Sequence, residues 1–204
     1  MARTERSEGL EKLVRFARSQ GASGAKAIPA RLVVVDGRVR LKCQVPRCVE
    51  YGRNLMCPPN TMPVDEFREV LGLYKRAVLV QVETDVDSLD KSERQLGDGL
   101  SERIDSETGA RAWQLKLHRL VNAVETEAFK QGHYLAAGLT GGDCRLCEEC
   151  VGVSSGKPCR HPFEARPSME AMGIDVLRTC RNAGMPVSLS SSRKVRWTGL
   201  VLVD

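Results

Sequence analysis

The chain has 204 residues, a formal net charge of +5 and 42 % hydrophobic residues. That length suits a single domain over residues 1–204, one that buries about 70 % of its unfolded surface and does not need disulfides to hold it. Met1 to Ser7 is polar, no stretch approaches the ~20 apolar residues of a membrane helix, and the basic residues form no long run, so secretion, membrane insertion and nucleic-acid binding are not expected.

Ser7 to Gln20 is expected to be a helix. Leu10, Leu13, Val14 and Ala17 share one face, Ser7 can cap its start and Gly21 can stop it. Gly21 to Ala27 reads as a flexible link. Ala30 to Leu41 reads as a β-hairpin, because LVVV is β-branched and Asp36-Gly37 is a strong two-residue turn signal.

The return strand would lead into a first cysteine group, CQVPRCVEYGRNLMCPP, containing Cys43, Cys48 and Cys57. Pro58 and Pro59 block a helix there and direct the backbone. A Cys-Pro pair also closes the bacterial ferredoxin run, where that cysteine ligates a different cluster from its neighbours.

Thr61 to Lys75 is expected to be a helix with Val64, Phe67, Val70, Leu71 and Tyr74 buried; Asp65 and Glu66 suit its positive end. Ala77 to Val82 follows as a buried strand. Glu83 to Ala110 is polar and without period, which suggests a surface excursion. Arg111 to Gln131 has the longest helical pattern, and Gly132 stands where a C-terminal cap belongs. His118 and His133 lie outside any ligand-spaced cluster and read as ordinary histidines. Tyr134 to Leu139 is expected to be a short strand.

That strand enters GGDCRLCEECVGVSSGKPCRHP, which contains Cys144, Cys147, Cys150 and Cys159. The first three are spaced C-x2-C-x2-C, the step by which ferredoxin-type loops wrap corners of a [4Fe–4S] cube. Cys159 is near enough to supply the fourth corner. Thiolates are soft ligands that suit iron–sulfur clusters and zinc. Eight cysteines in a chain without a secretory signal point to metal and a reducing, cytoplasmic compartment. Ser168 to Ala183 is expected to be the last helix, with Cys180 on its apolar face beside Met169, Met172 and Val176, as a core thiol. Strands near Pro186–Leu189 and Trp197–Val203 would finish an α/β fold: a mixed β-sheet, packed helices and cysteine-rich metal-binding loops.

The stretches CQVPRCVEYGRNLMCPPNTMPVDEFREVL, AVLVQVE, CRLCEECVGVSSGKPCRHPFEARPSMEAMGIDV and WTGLVLV run from Cys43 to Val203. They resemble DUF2284, a predicted metal-binding protein family. The resemblance implies a small cytoplasmic protein with cysteine-bound metal, iron–sulfur foremost, and it implies no particular reaction.

Structural zinc sites usually take two ligand pairs from separated knuckles, so the packed triplet suits a cube better. His161, two residues after Cys159, keeps a zinc site with three cysteines and one histidine open. Seven cysteines also allow two sites: the Cys144 loop with its own four thiols and the Cys43 group separate, or Cys57 and Cys159 exchanged between them. Cys180, water or substrate could fill the remaining corner of the three-cysteine group. Both groups are expected at one end of the sheet, with Arg47, Arg53, Arg145 and Arg160 placed to offset negative charge. No G-x-G-x-x-G, Walker loop, haem motif or G-x-S-x-G elbow is present. The expected function is electron transfer with a redox partner protein. Alternatives are a cluster enzyme with an exposed iron acting on a small molecule, and a zinc-stapled binding module.

Overall fold

The computed structural model describes residues 2–85, 109–187 and 194–204. Strands β1 (Gly24–Pro29), β2 (Arg76–Asp85), β3 (Ala137–Leu139) and β4 (Lys194–Val203) form one sheet in the order β1-β2-β4-β3. Helices α1 (Ala2–Ser19), α2 (Gly37–Leu41), α3 (Val64–Leu73), α4 (Gly109–Lys130) and α5 (Val176–Asn182) pack around it. The α/β layering is as expected. All the described ladders are antiparallel, where the alternation of helix and strand suggests mixed pairing. The reason is the last strand. β2 and β3 point the same way and are joined through α4, as in a βαβ unit, but β4 inserts antiparallel between them.

Both faces of the sheet are dry. On one face Val78, Val80, Val82, Val201 and Val203 pack against Leu13, Ala17, Leu117, Val121 and Val124 of α1 and α4. On the other, Ala77, Leu79, Leu200 and Leu202 pack against Phe67, Leu71, Met169, Ile174 and Cys180. This two-sided burial explains why the strands are continuous apolar runs rather than alternating ones. Each fully buried leucine or valine contributes about 1.5–3 kcal/mol relative to exposure. Among the described residues, no helix is long and apolar enough to cross a membrane.

The N-terminal helix, the helix before β2, the long helix and the final strand lie close to where the residue pattern places them. Gly132 ends α4 at φ 94°. The amide of His133 reaches Ala128 O and that of Gly132 reaches Phe129 O, both at 3.0 Å, which is the paired closure of a left-handed cap.

Four local expectations are corrected. Gly21 to Ala27 is not a free link, since residues from Gly24 onward form β1 against β2. Ala30 to Leu41 is not a hairpin. Asp36 caps α2, its carboxylate accepting from the Arg38 amide at 3.0 Å, so Asp-Gly starts a helix instead of turning a strand. The extended valines find distant partners: Asp175 N donates to Val34 O and Asp36 N to Gly173 O, both at 2.8 Å, and Thr179 Oγ1 accepts from Val34 N. Ser168 to Ala183 is not one helix. Gly173 has φ 81°, and a Cβ there would stand 2.9 Å from Val64. The chain therefore makes a turn at Met169–Gly173 and restarts as α5, capped by Asp175. Pro186 and Val187 form no strand. The rest of that expected strand, and the polar excursion Glu83–Ala110 except for its ends, lie outside the described residues.

Cys180 is fully buried in the core, with its sulfur 3.8 Å from both Gln81 Nε2 and Thr198 Oγ1. Cys180→Ala is expected to lower stability by about 1 kcal/mol, as a small core truncation does, and to leave bound metal unchanged. Denaturant melts and metal analysis of the purified variant check both.

Candidate metal centre

Residues 42–63 carry no regular structure beyond turns, so their amides need other partners. The turn from Cys43 closes when Cys48 N donates to Cys43 O at 3.0 Å. Gly52 N donates to Pro58 O at 2.8 Å and Cys57 N to Asn54 O at 3.0 Å. Arg40 of α2 spans the base of the loop, its guanidinium donating to Met62 O at 2.8 Å. Cys48 is exposed, Cys43 partly buried and Cys57 buried.

The second segment leaves β3 at Leu139. Its base is closed on both sides of Thr140: Thr140 N donates to Pro167 O at 3.0 Å, and Met169 N to Thr140 O at 2.8 Å. Gly141 permits close contact with β4, since a Cβ would lie 2.6 Å from Thr198 O. Beyond it come Cys144, Cys147, Cys150 and Cys159, all partly buried. Arg160 donates to Glu149 O at 2.8 Å, drawing the far end of the loop onto the triplet. The backbone amide of His161 points at Cys159 Sγ at 3.4 Å; N–H groups on sulfur are one means by which proteins tune cluster potential. His118 and Asn122 of α4 both donate to Glu164 O, at 2.8 and 2.9 Å. A carbonyl only accepts, so His118 carries its proton on Nε2. It serves as a buried clamp on the cysteine loop, while His133 lies 3.4 Å from Asp204 Oδ1 at the chain's end.

The two segments meet. Asn54, 2 % exposed, donates through Nδ2 to Cys144 O at 3.1 Å and accepts from Met56 N at 3.0 Å. A Cβ on Gly152 would stand 3.2 Å from Arg53 O. Gly142 N faces Glu170 Oε2 at 3.4 Å.

All eight cysteines are unpaired thiols. Burial pushes Cys144 up to about 11; the Leu146 amide opposes this, and Cys159, Cys150 and Cys147 add to it. Burial likewise raises Cys57 strongly, helped by Asp143, Glu50, Cys48 and Cys43. Cys43 is raised by burial, then by Cys48 and Glu170, with Arg40 opposing. Cys144 is thus raised by its loop partners, and Cys57 by Cys43 and Cys48. As the side chains stand, no three His, Cys, Asp or Glu donors among the described residues are gathered tightly enough to hold an ion. The soft donor set suits a thiophilic metal, whose binding would remove the thiol protons.

Of the four arginines expected to offset charge, Arg145 lies 2.7 Å from Asp143 Oδ2, close as an ion pair though not aligned as a hydrogen bond. Arg47 lies over the Tyr51 ring and Arg160 holds backbone. Asn54, Asp143 and Glu170 are not picked out by the sequence, whereas His118 is a buried histidine outside the cysteine groups, as expected. Single polar residues among cysteines carry no spacing signal.

Two outcomes follow from these ties. Asn54→Ala strands the Cys144 carbonyl and the Met56 amide, and is expected to cost about 1–3 kcal/mol, read from denaturant melts. Burial lowers the pKa of His118, so the folded chain binds fewer protons than the unfolded one as pH falls through about 6.5. Stability should therefore drop on acidification across that range. His118→Gln, which keeps the donor, should remove this component of the pH dependence in melts at successive pH values.

No curated protein and no solved structure matches this chain. The model of the predicted metal-binding protein family DUF2284 matches residues 26–203, nearly the whole chain, which therefore belongs to that family.

Proposed function

We propose that the protein is an iron–sulfur protein with a redox role, passing electrons to a partner protein. Cys144, Cys147, Cys150 and Cys159 would hold a [4Fe–4S] cluster, and Cys43, Cys48 and Cys57 would form a second, three-thiolate site. The observation that carries the reading is the Cys144 loop. Its base is pinned at Thr140, its far end is drawn back by Arg160, and Cys159, Cys150 and Cys147 all act on Cys144. The division into two sets follows the same interactions, since Cys57 is influenced by Cys43 and Cys48. A cluster held there would supply a one-electron store. The chain's contribution is to desolvate the thiols and aim N–H groups at sulfur. If a substrate reaches the three-thiolate site, the same arrangement would serve an enzyme acting on a small molecule.

A zinc reading has one observation in its favour. Glu164 Oε2 lies 3.2 Å from His161 Nδ1, the carboxylate–histidine arrangement that orients Nε2 toward zinc. His161 and Cys147 also line one shallow cavity of about 490 Å³.

Anaerobic purification with iron, acid-labile sulfide and zinc analysis separates the readings. Brown protein with equal iron and sulfide is expected, and Cys147→Ser should lose the iron of the Cys144 loop. Colourless protein with stoichiometric zinc would replace the cluster by the zinc module. Unchanged metal in Cys147→Ser would remove the triplet from the site.

A further inference from the structure

Strand β3 lies at the edge of the sheet, with β4 on one side of it. Backbone N–H and C=O groups of successive strand residues point alternately to the two sides. Leu139 O faces β4, 3.1 Å from where a Cβ on Gly199 would stand. Thr140 N donates to Pro167 O and Thr140 O accepts from Met169 N, so Thr140 turns its backbone to the other side. Gly138, two residues before Thr140, turns the same way. In the parallel pairing that Thr140 makes with Ser168, the Gly138 carbonyl would next accept from residue 167. That residue is proline, which has no N–H. The chain before it bends off toward α4, where His118 and Asn122 hold Glu164 O. Gly138 is buried, yet among the described residues its outward amide and carbonyl have no partner. More than about 90 % of buried backbone groups are paired, so a donor and an acceptor left open side by side mark a place for a ligand.

A cavity of about 470 Å³ opens there, within the range of ligand sites, roughly 300–1,000 Å³. Gly138 lines it together with Phe67 and Val70 of α3 and with Phe163 and Pro167 of the segment that follows the cysteine loop. The two charges at the cavity, Glu125 and Arg166, are paired with each other at 2.6 Å. The site is therefore electrically neutral and complements an uncharged occupant. Its apolar surface also runs on past the cavity. Phe163 is 89 % exposed, and the exposed Leu135 is held beside the cavity by the Tyr74 hydroxyl, which donates to Leu135 O at 2.7 Å. A continuous apolar rim suits a chain longer than a metabolite, and the open donor and acceptor of one strand residue match the backbone of a second extended chain. We propose that the free edge of β3 at Gly138 binds an extended, uncharged, apolar segment of a partner protein, added to the sheet as a further strand with an apolar side chain in the cavity. Main-chain bonds to Gly138 supply the affinity of such a strand, and the cavity its selectivity. The segment would lie against Phe163 and Pro167, a few residues beyond Cys159, whichever metal the cysteine loop holds.

The probe is a random heptapeptide library displayed on phage and panned on the purified protein. An enriched peptide is synthesised and titrated by calorimetry into wild type and into Val70→Trp, whose ring fills the cavity. The same peptide is also made with its amides N-methylated one at a time. Enriched peptides are expected to be uncharged, with apolar residues at alternate positions. Methylating the amide that bonds Gly138 should weaken binding by about tenfold or more, as when a buried acceptor is left unpaired. Val70→Trp should weaken it comparably. Hydrogen exchange, resolved to single residues by fragmentation mass spectrometry, gives a second readout. In the free protein the Gly138 amide should exchange faster than those of Ala137 and Leu139, which face β4, and it should become protected with peptide bound. A Gly138 amide as protected in the free protein as its neighbours would overturn the proposal, because the edge would not be free. So would the absence of any enriched peptide, or binding that survives both Val70→Trp and every N-methylation. Binding that Val70→Trp abolishes but no N-methylation weakens would leave a side-chain pocket and overturn the added strand. Should Val70→Trp not fold, the methylated peptides and the exchange of wild type decide the matter alone.

Discussion

The ladder between β2 and β4 carries the rest of the molecule. It runs from Arg76 opposite Val203 to Asp85 opposite Lys194, with apolar side chains buried on both faces over Ala77–Val82 and Leu200–Val203. A strand pair dry on both sides cannot shift register without exposing one set of valines or leucines and stranding backbone groups. Every other element hangs on it. β1 extends it on one edge, and β3 adds to β4 on the other. The short β3 then delivers the chain at a defined point into the Cys144 loop. Glycine at 141 lets that loop start in contact with β4 itself.

From that edge outward the chain abandons regular structure, and the constraint changes. Two irregular cysteine segments must satisfy their amides and carbonyls without a ladder or a helix. They do so with a few polar side chains, each holding a backbone atom of another segment. Asn54 joins the first loop to Cys144, Arg40 closes the first loop's base, and His118 with Asn122 holds the second from α4. Such ties are individually worth about 0.5–1.5 kcal/mol net but cost more when one partner is left buried alone. They turn loops into a frame, and a ligand set needs a frame.

The electrostatics of the centre follow from that enclosure. Desolvation raises Cys57, Cys144, Asp143 and Glu170 together. All four are anions when ionised, and each opposes ionisation of its neighbours where they are close. Arg145 offsets part of this through its ion pair with Asp143, while Arg47 and Arg160 are engaged with the Tyr51 ring and the Glu149 carbonyl. A bound cation would offset the negative charge that ionising this set creates.

Some of this was legible in the residues. The α1 stripe, the α4 stripe with its Gly132 cap, the buried runs of β2 and β4 and the two cysteine groups all follow from local spacing, and local spacing is what periodicity encodes. The family to which the chain belongs was legible for the same reason, through cysteines at fixed intervals. What the residues alone did not decide was which distant segments pair. Asp36-Gly37 satisfies a hairpin turn and a helix cap equally well by local rules, and Thr179 and Gly173 settle it from far along the chain. The helix expected at Ser168–Ala183 breaks because Gly173 must lie against Val64, a contact no local pattern contains. Insertion of β4 between β2 and β3, and the placing of Glu170 against the Gly142 amide, likewise arise from long-range packing. The sequence by itself determined the amphipathic helices α1, α3 and α4, the buried strands β2 and β4 and the chemistry of the donors. Only the tertiary structure decided which donors share a neighbourhood, because that depends on burial and hydrogen bonding between segments that the chain order keeps apart.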